Sequence, residues 1–99
     1  MKQSEKITDT TIRTELREDN GIEYKYKLLM KESSHVASYG IPLYSISVEM
    51  IQRDGNITNA KTGEVFANIE KAINFFEKLV NNLATPIDLP YITEDELSR

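Results

Sequence analysis

Ninety-nine residues and 11.3 kDa leave room for one small domain and no second one. Twelve Lys and Arg against sixteen Asp and Glu give a net charge of −4 and a pI near 5.0, which argues against a generic nucleic-acid-binding arm. With no cysteine, the chain lacks disulfides, thiolate catalysis and Cys-based zinc sites.

In chain order, the polar start Met1-Lys2-Gln3-Ser4-Glu5-Lys6 has no apolar stretch like that of a signal peptide. Residues 1–6 are expected to be a disordered tail and residues 7–99 a single α+β domain. No apolar run approaches the ~20 residues a membrane-spanning helix needs, so a cytoplasmic location is expected.

From Ile7 to about Lys61 the apolar residues alternate, the mark of half-buried strands. Thr10, Ile12, Thr14 and Leu16 fall on one side of a first strand, with Arg13, Glu15 and Arg17 on the other. A second strand sets Ile22, Tyr24, Tyr26, Leu28 and Met30 against Glu23, Lys25, Lys27, Leu29 and Lys31. The turn between them decides the register. A two-residue Asn20-Gly21 loop would place Leu16 opposite Lys25 and Glu15 opposite Tyr26. A three-residue loop, Asp19-Asn20-Gly21, places Leu16 on Tyr24, Thr14 on Tyr26 and Ile12 on Leu28, with Arg17 meeting Glu23 and Glu15 meeting Lys25. The pairing of like faces and unlike charges selects the three-residue loop.

The third strand changes phase between Leu43 and Tyr44, so Gly40 and Pro42 predict a kink or bulge near residues 40–44. Beyond it Ile46, Val48 and Met50 share a face. Asp54-Gly55 predicts a two-residue hairpin that sets Ile57 on the face of Met50, in a short fourth strand over about Asn56 to Lys61. The spacing then becomes helical: Ile69, Ala72, Ile73, Phe76, Leu79, Val80 and Leu83 form one stripe. Asn68 is the expected N-cap, and Pro86 ends the helix near residue 84. Asp88 to Leu97 suits a short second helix with Pro90 in its first turn. The predicted fold is a four-stranded antiparallel meander with one amphipathic helix on one face and a short C-terminal helix, an α+β architecture.

Few residues suggest chemistry. His35 is the only histidine and has no partner at a metal or catalytic spacing, so it reads as a loop residue. Ser33 and Ser34 beside it lack a nucleophile elbow. Asp88, Glu94, Asp95 and Glu96 lack the spacing of a calcium loop, and read as a solvated helix. The four glycines form no phosphate-binding loop, and Asn56-Ile57-Thr58 matches a glycosylation sequon only by coincidence in a cytoplasmic chain. No catalytic residue, cofactor site or metal site is assigned. The most coherent polar cluster is Arg13, Lys25, Lys27 and Lys31, with Arg17 alongside, expected on the open sheet face as a candidate interaction surface. Tyr24 and Tyr26 share the core parity, which removes the aromatics a nucleic-acid binder would stack on bases and makes nucleic acid the second reading. Leu29 and Ile51 share the outer parity and suggest a self-association patch.

Three stretches, Tyr24-Lys25-Tyr26-Lys27-Leu28-Leu29, Ser38-Tyr39-Gly40-Ile41 and Ala84-Thr85-Pro86-Ile87-Asp88-Leu89, carry a resemblance. Over about residues 22–97 the chain resembles a family of short proteins from clostridia and related Firmicutes, known only as a domain of unknown function. Asp88 stands where histidine is expected in that family, and Pro90 interrupts the helix that follows. The resemblance implies a bacterial cytoplasmic protein and one compact module, and brings no catalytic residues. The function expected is a non-enzymatic accessory or regulatory protein-interaction module without a cofactor, with an unidentified protein or a second copy as partner.

Overall fold

The computed structural model describes residues 10–32, 40–64 and 66–98. His35, Ser33, Ser34, Tyr39 and the expected N-terminal tail lie outside these residues. Four strands, β1 (Thr10–Asp19), β2 (Ile22–Glu32), β3 (Pro42–Ile51) and β4 (Ile57–Lys61), form one antiparallel sheet in the order β1-β2-β3-β4. Two helices follow, α1 (Ile69–Asn81) and α2 (Leu89–Leu97). This is the α+β meander that the change of period predicts.

The core lies between one sheet face and α1. Tyr26, Leu28, Ile46, Val48 and Phe76 are fully buried there, with Phe75 and Leu79 at 1% exposure. Asn68 caps α1 as expected, its side chain accepting from the Lys71 N–H at 3.0 Å. The helix ends at Asn81, three residues short of the limit set by Pro86, because Leu83 takes a left-handed backbone (φ 50). The Ala84 N–H then bonds back to the Leu79 carbonyl at 3.0 Å, closing the helix end as a glycine would ordinarily do. The Tyr26 hydroxyl donates to the Ala84 carbonyl at 2.9 Å inside the core, which holds this irregular end against the sheet. Of the expected stripe, Ala72, Phe76, Leu79 and Val80 are buried, whereas Ile69 is 42% exposed; Phe75 joins them.

Both hairpin registers differ from expectation, in opposite directions. The first turn is two residues long: Asp19 faces Ile22, Arg17 faces Tyr24, Glu15 faces Tyr26 and Leu16 faces Lys25. Asn20 (φ 54) and Gly21 (φ 81) both have positive φ, the requirement of a type I′ turn whose twist matches the strands it joins. Local turn chemistry therefore outweighs the pairing of apolar side chains. A bulge at Ile12 shifts the register between Thr11 and Arg13. The second turn is the longer one. The Gln52 N–H bonds to the Asn56 carbonyl at 2.8 Å and the Gly55 N–H to the Gln52 carbonyl at 2.9 Å, with Gly55 at φ 90. Asp54 stabilises this loop by accepting both the backbone and side-chain N–H groups of Asn56, each at 2.9 Å. Ile57 consequently pairs with Ile51 on the outer face, and Thr58 and Ala60 take the inner positions opposite Met50 and Val48.

Within β3 the expected kink is absent: the pairing runs without interruption from Glu32–Pro42 to Glu23–Ile51. Gly40, at φ 85, turns the chain before the strand begins, and Pro42 occupies its first position, where no ladder donor is needed. At its far end β4 is pinned by Thr62. Its N–H donates to the Ile46 carbonyl at 2.9 Å, and its hydroxyl accepts the Ile46 N–H at 3.0 Å. Phe66 then bridges to Tyr44, so the connection to α1 follows β3 along the sheet. In α2, Pro90 stands in the first turn as expected. Thr85 and Asp88 bond reciprocally ahead of it, Oγ1 donating to Oδ2 at 3.0 Å and the Asp88 N–H donating to Oγ1 at 3.2 Å.

Candidate interaction face and edge

The two-residue turn reassigns the polar residues of β1. Arg13, Glu15 and Arg17 share the side of Tyr24, Tyr26 and Leu28, whereas Leu16 and Thr14 share that of Lys25 and Lys27. The basic cluster expected on the open face is therefore divided. Arg13 stands on the helix side: its guanidinium lies 5.4 Å from the centre of the Phe76 ring and bonds to Glu77 at 3.0 Å and Glu15 at 3.1 Å. An Arg stem can cover the edge of an apolar core while its head stays at the surface, which is why a charged residue is tolerated where the sequence pattern places Ile12. Lys25 and Lys27 remain on the outer face. Lys31 also lies there, at the far end, with its ammonium 3.4 Å from Glu64.

Glu15 receives hydrogen bonds from Arg13 and from Arg17 (3.2 Å), so its carboxyl is held below its ordinary pKa, by Arg13 first and Arg17 second. The Arg13 guanidinium is held above its own ordinary value by Glu77 first and Glu15 second. Arg17 has a further role. Its guanidinium also donates to the Leu16 carbonyl at 2.8 Å.

The outer face carries apolar residues that the expected registers place in the core. Leu16 is 64% exposed and Ile57 57% exposed, and Ile51 between them is half-buried. Around them stand Glu18, Glu23, Lys25 and Glu49, and Leu16, Ile51, Glu18, Glu23 and Lys25 outline a hollow of about 310 Å³. Leu29, the other residue expected in a self-association patch, is buried at 8% and faces the buried Ser45. The positive φ demanded by Asn20-Gly21 was the signal in the sequence that could have placed Leu16 outward.

A second groove, of about 410 Å³, runs between β4 and α2, lined by Ala60, Thr62, Leu89, Pro90, Thr93 and Leu97. The Thr93 hydroxyl is buried there with no hydrogen-bond partner among the described residues. The acidic residues of α2 are distributed rather than gathered: Glu96 reaches Lys78 at 3.2 Å, Asp88 bonds Thr85, and no group of three potential metal ligands forms among the described residues. Among those residues, too, no helix is long and apolar enough to cross a membrane.

A two-layer α+β fold with one helix-covered sheet face, one face carrying exposed apolar residues and β1 at the sheet edge is the class these observations define. Within it, the chain belongs to a family of unknown function, DUF6514, which matches residues 5–99. No curated protein and no solved structure matches it.

Proposed function

We propose that this protein is a non-enzymatic accessory or regulatory module of the bacterial cytoplasm that works through protein contacts made by its sheet. The observation that carries this reading is the outer face, where Ile51 and Ile57 pair across β3 and β4 and Leu16 stands exposed on β1, with Glu18, Glu23 and Lys25 among them. Apolar contact surrounded by charges of both signs is the composition of a face that gains by meeting another protein. Affinity capture with the wild-type chain and with an Ile57→Glu, Lys25→Glu variant tests it. A partner retained by the first and lost by the second is the expected result. Retrieval of the same proteins by both, or of none, counts against the reading.

The second reading, nucleic-acid binding, is supported by the persistence of Lys25 and Lys27 on that face. Tyr24 and Tyr26 are buried in the core and offer no ring for base stacking, which favours the protein reading. A gel shift with single-stranded RNA at low salt, repeated with Lys25→Ala and Lys27→Ala, separates the two.

A further inference from the structure

The ladder fixes which main-chain groups of β1 face outward. Thr62 and Ile46 bond to each other across β3 and β4, so the even-numbered residues of β3 serve β4 and the odd-numbered ones serve β2. Carried through the registers of the sheet, this alternation turns the N–H and C=O groups of Thr14, Leu16 and Glu18 away from β2. Among the described residues no strand lies on that side. The Arg17 guanidinium on the Leu16 carbonyl marks the same direction independently, since it occupies an acceptor that a neighbouring strand would use.

The side chains of this edge follow a self-complementary rule. On the helix side β1 reads Arg13, Glu15, Arg17, Asp19, charges that alternate plus, minus, plus, minus. Reversed, the series becomes its own complement. We infer that β1 pairs antiparallel with β1 of a second copy, about a two-fold axis at Leu16, in a register where every helix-side cross-strand pair joins opposite charges.

Arg13 then faces Asp19 of the other copy, Glu15 faces Arg17, and each pair occurs twice by symmetry. Leu16, exposed in the single chain, meets its counterpart on the outer face, and Thr14 faces Glu18. Moving the axis by one residue, to Glu15 or to Arg17, would instead set like charges opposite one another. Leu16 exchanges both main-chain bonds with its counterpart, and the Arg17 guanidinium moves from the Leu16 carbonyl to the Glu15 of the other copy. The charges that shield the edge from arbitrary strands thus admit one partner in one register. The result is an eight-stranded sheet whose outer face continues across the axis.

This inference rests on the reading of the protein as a contact module but uses a different surface, so the two can fail separately. Sedimentation equilibrium on the full chain over a range of concentrations should give twice 11.3 kDa, with the dimer weakening as salt rises. Glu15→Lys and Arg17→Glu each set like charges opposite one another twice, so each variant alone should sediment as a monomer. Mixing the two should restore the dimer. The two substituted positions then carry opposite charges across the axis, while the unaltered Arg17 of one chain faces the unaltered Glu15 of the other. The regained dimer also shows that both variants are folded. A wild type that stays at 11.3 kDa, a dimer that survives both variants, or a mixture that stays monomeric would each overturn the pairing. A monomeric wild type that still loses a partner protein on Ile57→Glu, Lys25→Glu substitution would leave the proposed function standing without it.

Discussion

The two faces of one sheet make opposite demands on the same strands. Under α1, fully buried residues of β2 and β3 meet Phe75, Phe76 and Leu79, and even the polar atom of Tyr26 is satisfied by the Ala84 carbonyl. On the other face Leu16 and Ile57 stand largely in solvent among charges of both signs. The difference teaches where stability and contact are divided: substitutions on the covered face should be read in folding, and those on the outer face and edge in association.

The largest effect expected is Phe76→Asp. Phe76 is completely buried, and an uncompensated carboxylate there costs several kcal/mol, against roughly 5–15 kcal/mol of total stability for a domain. Circular dichroism should show an unfolded chain, and a folded one would break the comparison at its root. Tyr26→Phe should cost about 1–3 kcal/mol in denaturant unfolding, since the Ala84 carbonyl then loses its buried donor.

The same residue gives the covered face a pH signature. Burial, with a smaller contribution from Tyr24, pushes the Tyr26 hydroxyl up to about 12 from its ordinary 10.0. Its contribution is complete below pH 10 and is lost as pH rises towards 12, at up to about 1.4 kcal/mol per pH unit. Unfolding measured at pH 9 and pH 11 should show this loss in the wild type and a smaller one in Tyr26→Phe. At the hairpin tips the effects shrink. Gly21→Ala should cost about 1–2 kcal/mol or somewhat more, because an alanine there is strained at φ 81 and its Cβ would lie 3.0 Å from Arg53 Nε. Gly55→Ala, at φ 90 but with nothing within 4 Å, should cost less, about 1 kcal/mol. Last comes the outer face, where Ile57→Ser should move stability by no more than about 0.5 kcal/mol. A larger loss would mean that this face is a second core.

The covered face was legible from sequence because period and burial agree there. Alternation in β2 and β3 and the helical stripe of α1 each bury one set of side chains, and both point to the same interface. Phe75 escaped because a stripe counted on ideal spacing is narrower than the groove it fills. The outer face and edge were less legible. In the first hairpin the apolar pattern of Ile12, Thr14 and Leu16 favoured one register and the turn chemistry of Asn20-Gly21 the other. The turn prevailed, since both of its residues hold positive φ. In the second, Asp54 uses its carboxylate to hold Asn56 and thereby lengthens the loop, a hydrogen bond that no dipeptide signal specifies. Each error moved a strand by one residue and so exchanged its faces, which is why Arg13 left the expected basic cluster while Leu16 and Ile57 joined the exposed surface. The candidate site was thus only half readable: Lys25, Lys27 and Lys31 keep their places, and the charge alternation of β1 becomes meaningful only with its register known.

Thr62 and Phe66 fasten the chain to β3 at Ile46 and Tyr44 just before α1 begins. The helix is therefore delivered to its place on a very short tether. Little chain entropy remains to be lost when its stripe docks, so α1 should join the β3–β4 hairpin early in refolding, and lengthening the tether should slow that step more than it lowers the final stability.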